Sequence, residues 1–275
     1  MINTPFNYTG SKFKLLEQLI PNFDYSKKYF VDLFCGGGSV YTNVVKDYEK
    51  ILVNDIISEL VEIQKGLVNE PEKIIQKTKS IAIDKNDSVG FSELRKSFNN
   101  EKNPEKLWAL MLSCTNNMMR FNKKFEFNQT FGKRSWNDST EKKVNDFVKH
   151  ISDYKEKIFF TSKDFTEIKP NASSMIYIDP PYTNTEAGYN SYWSKTKESQ
   201  LYDYIIEINK LGHSFALSGV LGEHTNGEKS DIIYKLLEDG FNHKILEFDY
   251  EKVARKKNSK NSQEIMIYNY NGTER

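Results

Sequence analysis

The stretch YFVDLFCGGGSVY, residues 29–41, runs from aromatic and β-branched residues into three consecutive glycines and then into residues that suit a helix. Residues 29–33 read as a short buried strand, because an apolar run bounded by turn residues fits a strand covered on both faces. Gly36, Gly37 and Gly38 break it, and Ser39 is the predicted N-cap of a helix over 40–47. Residues 51–54 (ILVN) form a second apolar run, followed by helical periodicity over 56–67. Strand, glycine turn, helix and strand in this order open a doubly wound α/β fold.

Two acids flank this unit. Asp32 precedes the glycines, where a carboxylate would repel a pyrophosphate and attract an ammonium group. No Gly-Lys-Ser/Thr closes the turn, so it is not a P-loop. Asp55 ends the second strand at about the offset at which an acid takes ribose hydroxyls in dinucleotide-binding folds. A ligand with a ribose, an adenine and a cationic amino-acid tail satisfies both acids, which points to S-adenosylmethionine. Glycines that merely make a turn are the plainer alternative for the loop taken alone.

Beyond this unit the chain stays within the range of an ordinary globular protein. Of its 275 residues, 38% are hydrophobic and 28% charged, enough apolar material for a real core. The length suggests one main domain with a sizeable insertion or a small second domain. No apolar stretch is long enough to span a membrane, and the N-terminal residues lack the apolar centre of a signal peptide. Two cysteines, Cys35 and Cys114, make no disulfide framework and no CxxC pair, so a reducing, cytoplasmic setting is expected. The four histidines are scattered, and no metal-ligand spacing occurs. The net charge is only +1, but its distribution is uneven. Residues 118–134 hold five cations against Glu126, and residues 250–260 hold five against Glu251. Two basic patches on a mildly acidic body fit a polyanion-binding face, although a basic run alone is also what a solvated loop looks like.

From about 71 to 154 the character changes to helical periodicity with many Lys, Asn and Glu, which reads as a helical insertion. Its middle, 115–137, has weak periodicity and is expected to be loops or a small hairpin. Strand and helix signals then return: strands at 157–162, 175–178 and 215–218, helices at 198–211 and 230–238, and two closing strands at 244–248 and 264–269. The last two suggest an antiparallel hairpin at one sheet edge.

The strand at 175–178 leads into Asp179-Pro180-Pro181-Tyr182. In an open α/β sheet, ligand chemistry lies beyond the carboxyl ends of the strands. A residue before proline is pushed out of the helical region, so Asp179 stays extended and projects from the sheet. The prolines stiffen the turn and offer no donors. A fixed cluster of acceptors beside an aromatic face suits a planar ring with an exocyclic amine.

The order NYTGSK (7–12), DLFCGGGSV (32–40), a central insertion and DPPY (179–182) resembles the Dam-type, D12 class DNA adenine-N6 methyltransferases. The likeness is strongest to the Dam enzymes of T-even bacteriophages. NMMRFNKKFEFNQTFGKR (117–134) is similar to that family's target-recognition hairpin, YNSYWS (189–194) to the stretch after its DPPY, and QEIMIYNY (263–270) to its closing strand.

The resemblance implies a Rossmann-like methyltransferase sheet with helices on both faces, formed by residues 1–70 and 155–275. A mainly helical target-recognition insertion with a β-hairpin would occupy 71–154. It implies that Tyr8, Gly10 and Lys12 hold the cofactor, that Asp32, Phe34 and Gly36 line its methionine end, and that Asp55 takes the ribose. Asp164 and Phe165 would meet its adenine. Asp179, Pro180 and Tyr182 would grip a target adenine flipped out of duplex DNA, with Asp179 also beside the cofactor. Arg120 and Arg134 would read guanines. Asn117, Asn122, Lys123, Lys133, Lys256 and Lys257 would contact the DNA, the lysines mainly at phosphates. Asn7 stands where some cellular Dam enzymes carry a lysine, and Thr115 near a position where phage relatives carry an aromatic residue. The favoured target is GATC. A cognate restriction endonuclease and a monomeric or weakly dimeric state complete the expectation. Competing readings are a methyltransferase acting on cytosine N4, RNA adenine or a glutamine side chain, and a catalytically silent DNA-binding regulator.

Overall fold

The structure is a computed structural model, and it describes residues 1–8, 10–122, 124–171, 173–181, 193–222, 230–247 and 263–271. Seven strands form one sheet: β1 (Tyr29–Asp32), β2 (Lys50–Asn54), β3 (Ile158–Thr161), β4 (Ser174–Ile178), β5 (Ser214–Leu221), β6 (Asn242–Leu246) and β7 (Gln263–Tyr268). Their order is β3-β2-β1-β4-β5-β7-β6. The five strands from β3 to β5 are parallel, and β7 and β6 close the edge in antiparallel pairing. The chain winds outward from β1 to β2 and β3, then returns to the other side of β1 as β4. The crevice between the carboxyl ends of β1 and β4 is therefore the topological switch point, where such sheets bind ligands.

Both faces of the sheet are covered. The apolar positions of α8 (Lys195–Lys210) and α9 (Asp231–Glu238), among them Leu201, Ile205, Ile233 and Leu236, pack with Ile176, Ile178, Leu217, Ile265 and Ile267. Strand alternation sends Phe30, Ile51, Val53, Tyr177 and Met266 to the opposite face. There they meet α1 (Leu16–Leu19), α2 (Ser39–Val44) and α3 (Ser58–Asn69). The segment 71–154 supplies α4 (Pro71–Ser80), α5 (Ser88–Asn100), α6 (Pro104–Ser113) and α7 (Asp138–Ile151). Its buried Phe91, Phe98, Trp108 and Phe147 continue the same apolar cluster rather than forming a separate one. No helix among the described residues is long and apolar enough to cross a membrane.

The cap of α2 differs from the sequence expectation. Gly38, at φ 78°, is the N-cap, and Ser39 is the first helical residue. The turn demands a left-handed residue, which only glycine adopts without strain. A Cβ at Gly38 would clash with Gln64 Oε1 and with Tyr41 Cε1. Gly38→Ala is therefore expected to lower stability by about 2 kcal/mol or more. An unchanged midpoint in thermal denaturation would contradict that geometry.

The hairpin expected in the insertion is reduced to two isolated antiparallel bridges, Cys114↔Phe131 and Phe121↔Phe127. Asn116, Asn117, Phe125 and Lys133 all have positive φ, and these bends interrupt a regular ladder. The loop is held instead from α5. Arg95 donates to the Gln129 carbonyl, Asn99 to the Phe127 carbonyl while accepting from the Phe127 N–H, and Lys102 donates to the Phe125 carbonyl. Arg95 and Asn99 share one face of α5 and Lys102 lies just past its end, so polar side chains from the helix and its exit fasten the loop.

Candidate active site

The glycine loop is pinned from three directions. The Gly36 N–H donates to Asp55 Oδ2 at 2.9 Å, and the Ile57 N–H donates to Asp55 Oδ1 at 3.0 Å. Asp55 thus ties the end of β2 to the loop after β1, with each oxygen already holding one backbone donor. Gln64, buried on α3, donates to the Gly36 carbonyl at 3.0 Å. From the third side Tyr8 lies against Gly36 and Gly37: a Cβ on Gly36 would come within 2.7 Å of its ring, and one on Gly37 within 2.7 Å of its Cβ. Glycine is required there because the Tyr8 side chain occupies the space another side chain would need.

Asp32 lies at the floor of the crevice, 1% exposed. One oxygen accepts from the Tyr41 N–H at 3.1 Å. Burial lifts its pKa to about 8, and the nearby charges of Asp179 and Asp55 push the same way against the Tyr41 hydrogen bond. No cation among the described residues lowers it. A buried carboxyl that is costly to ionise alone fits a site whose occupant brings positive charge. Asp32 and the glycine cradle thus fit the amino-acid end of S-adenosylmethionine.

Across the crevice, Asp179 follows the last residue of β4, and its side chain is 18% exposed. Lys12, only 5% exposed, reaches it from the N-terminal segment, with Nζ 2.6 Å from Asp179 Oδ1 and 3.4 Å from the Gly10 carbonyl. Burial opposes the lysine's charge, but Asp179 and then Glu264 outweigh it, so the ammonium is held more firmly protonated than an ordinary lysine. Burial also raises the Asp179 pKa, and Lys12 draws it back. Lys12, expected at the cofactor, is thus joined to the carboxylate expected at the target base. Gly10 takes a left-handed φ of 81° in the turn that leads to it.

Phe34 and Phe165 form one aromatic group with Trp193, with ring centroids 5.5 to 5.9 Å apart. Phe165 is 4% exposed. Asp164 accepts from Lys197 Nζ at 2.5 Å and from the Thr166 N–H and hydroxyl. Desolvation opposes its ionisation, but these hydrogen bonds and the lysine charge hold its pKa below the usual carboxylate value.

In the insertion, Arg120, Lys133 and Arg134 are exposed. Asn117 is buried and donates to the Met111 and Leu112 carbonyls at the end of α6, while its Oδ1 accepts from Arg134 Nη1 at 2.6 Å. Asn122 accepts from the Lys124 and Glu126 N–H groups and donates to Glu126 Oε2. Both asparagines, expected at the DNA, direct these hydrogen bonds into the protein. Asn117 supports Arg134, and Asn122 closes a turn. Tyr182, Lys123, Lys256 and Lys257 lie outside the described residues. Sequence reasoning missed Gln64, Lys197, Glu264 and the residues at 95, 99 and 102 that hold the loop. The i, i+4 spacing of Arg95 and Asn99 was the one signal available for that attachment.

Residues 8–261 match the family of D12 class N6 adenine-specific DNA methyltransferases. The chain belongs to that class.

Members of the D12 class use S-adenosylmethionine, in keeping with the fit of Asp32 and the glycine cradle. The chain is 32% identical to the modification methylase StsI of Streptococcus sanguinis over 288 residues, and 30% identical to the type II methyltransferase M.FokI of Planomicrobium okeanokoites over 285. Each alignment covers 98% of this chain but 43% of the relative, so the chain spans less than half the length of these relatives. A DNA adenine methylase of Vibrio cholerae is 28% identical over 192 residues, 67% of this chain and 68% of that enzyme. These two methylases thus match at higher identity and over more of the chain than that DNA adenine methylase. The expected nearness to the Dam enzymes of T-even phages is corrected accordingly, while the D12 class itself stands.

Proposed function

We propose that this chain transfers the methyl group of S-adenosylmethionine to N6 of an adenine flipped out of duplex DNA at a short specific site. One observation carries the reading: the Asp179-Pro180 carboxyl and carbonyl acceptors stand at the end of β4, across the switch-point crevice from the buried Asp32 at the end of β1. When bound, the cofactor supplies a methyl group on a sulfonium sulfur, open to a nitrogen lone pair. An amine conjugated to an adenine ring is a weak nucleophile. Asp179 and the Pro180 carbonyl accept its N–H groups, which frees the lone pair and offsets the positive charge that grows on nitrogen. Holding the two reactants in line is the main contribution of the site. Asp32 holds the cationic tail of the cofactor, Asp55 keeps the loop in place beside the ribose, and Tyr182 stacks on the base. Flipping costs about a few kcal/mol, offset by stacking and edge contacts.

Lys12 adds a condition. Its ammonium holds one of the two Asp179 oxygens, Oδ1. The target amine must therefore take the other oxygen, or share this one, when the base is seated.

In this reading residues 1–70 and 155–275 carry the chemistry and 71–154 the target recognition. Lys123, Lys256 and Lys257 add phosphate contacts. GATC is the target to test first, supported by the Dam match over two-thirds of the chain. A paired restriction endonuclease is part of the proposal, supported by the likeness to modification methylases. Arg134→Ala is expected to relax preference at one base pair by about 10- to 100-fold, since a bidentate guanine contact is worth roughly 1–3 kcal/mol of discrimination. Lys133→Ala should instead weaken binding to all sequences alike and reduce the salt slope by about one. Binding titrations on matched and mismatched duplexes at several salt concentrations separate the two. Equal losses on every sequence for Arg134→Ala would remove it from base reading. The decisive experiment incubates the protein with S-adenosylmethionine and mixed duplex DNA and maps N6-methyladenine by sequencing. Methylation of cytosine alone, or none, would sink the reading.

A further inference from the structure

A cavity of about 200 Å³ opens between the N-terminal segment, the end of α6, the loop at 115–137 and the start of α7. Phe6 and Trp108, with ring centroids 6.1 Å apart, belong to its apolar lining. Its polar lining includes two cations, Arg134 and Lys143. Other lysines of the insertion sit on carboxylates: Lys142 on Asp146, Lys79 on Glu141 and Lys77 on Glu105. Among the described residues, the two cations of the cavity are held by asparagines instead. Arg134 Nη1 donates to Asn117 Oδ1 at 2.6 Å, and Lys143 Nζ donates to Asn7 Oδ1 at 3.2 Å. A neutral acceptor fixes the place of a cation without cancelling its charge, so each pair keeps its attraction for an electron-rich partner. Asn7 is exposed and immediately precedes Tyr8, whose side chain lies against the glycine loop. The Lys143–Asn7 pair therefore stands beside the candidate active site.

The pair has a definite hydrogen-bonding sense. A free asparagine reads adenine, because its Oδ1 accepts from N6 while its amide donates to N7. Here Oδ1 faces the Lys143 ammonium. What the pair has left to offer is N–H: the Asn7 amide and the remaining donors of the ammonium. Of the four bases, only guanine presents two acceptors, O6 and N7, on its major-groove edge. The fork of Arg134 satisfies both acceptors of one guanine by itself, which leaves the pair for another. We propose that Lys143 and Asn7 together determine specificity by reading a second guanine, at a base pair of the target other than the one read by Arg134. This inference rests on the function proposed above. Lys143 also acts through Asn7: it engages the acceptor that adenine would use, and so rejects adenine at that position.

The test uses the DNA site at which the wild-type protein forms N6-methyladenine, and duplexes in which each base pair of that site is replaced in turn. The ratio kcat/KM is read for wild type, Lys143→Met, Lys143→Arg, Asn7→Ala, Arg134→Ala and the double variant Lys143→Met/Asn7→Ala, with cofactor Kd and thermal melting beside it. Lys143→Met is expected to lower the discrimination of guanine against adenine at one position by about 10- to 100-fold, the worth of one good base contact. Asn7→Ala should relax that same position, and the double variant should lose less than the product of the two single losses, because the two residues act as a unit. Arg134→Ala should relax a different position. Lys143→Arg keeps a donor for Asn7 Oδ1 and should hold the guanine preference. A guanine analogue with carbon in place of N7 should cost the wild type more than it costs Lys143→Met. Cofactor Kd should stay within about twofold throughout, because neither residue touches the cofactor. An equal loss on every duplex would make Lys143 a phosphate contact. Unchanged discrimination in folded Lys143→Met would leave the pair as a tie between α7 and the N-terminal segment. Either result, or a target without a second guanine, overturns the inference while the proposed function stands. Should Lys143→Met fail to melt cooperatively, Asn7→Ala decides by the same readings. A wild-type protein that forms no N6-methyladenine would instead remove the proposed function, and this inference with it.

Discussion

Asp179→Asn is expected to lower the rate of methyl transfer by about a thousandfold or more, with cofactor affinity changed less than about threefold. Asparagine keeps the shape of the side chain and one acceptor oxygen, but it loses the charge aimed at the developing positive nitrogen. Removing a single well-placed electrostatic partner costs about 10²–10³ in other enzymes, and in the proposed role the same group also aligns the nucleophile. Asp179→Ala adds a second cost, because it leaves the Lys12 ammonium, 5% exposed, without its 2.6 Å partner. That variant should be less stable than Asp179→Asn by about 3 kcal/mol, the order found when half of a buried pair is removed. Single-turnover methyl transfer, calorimetry and thermal melting separate the two effects. Retained turnover in Asp179→Asn would refute the assigned role.

Asp32→Asn should pull binding and stability in opposite directions. With its pKa lifted to about 8 by burial, Asp32 is largely protonated at neutral pH in the free protein. A cationic ligand against it draws that pKa down, so binding releases a proton. Cofactor affinity should therefore climb between pH 6 and pH 8, by at most about tenfold per unit. Asparagine removes that slope and weakens binding about 10- to 100-fold, the worth of a charged hydrogen bond. Stability follows the opposite sign. Between the unfolded value near 4 and about 8, the folded state holds a proton that the unfolded state has lost, so stability falls as pH rises and levels off above about 8. The slope from this group is about 1.4 kcal/mol per pH unit at most. Asp32→Asn lacks this loss and should melt higher than wild type at pH 8 in the absence of ligand. A variant that binds the cofactor normally, or shares the wild-type slopes, would refute the assignment.

The fold was legible where local signals and topology agree. The glycine turn, the strand before Asp179 and the closing antiparallel pair all fall within two or three residues of their expected limits. The site was less legible because partners arrive from far along the chain. Lys12 and Asp179 are 167 positions apart, and nothing near either residue announces the other. Asn117 and Asn122 look like DNA contacts by composition, yet their hydrogen bonds go to carbonyls and N–H groups that only the folded turns bring within reach. Ser39 resembled a cap because a serine before an apolar periodic run usually is one. Gly38 displaced it because the turn required a left-handed residue.

Arg95 and Asn99 on α5, with Lys102 just past its end, hold the loop at 115–137 through hydrogen bonds to its main chain. A grip of that kind is indifferent to what the loop displays outward. Under the proposed function, Arg120, Lys133 and Arg134 can then be exchanged as interchangeable type in a fixed frame, and a new address on DNA can be sought there without disturbing the helix behind it.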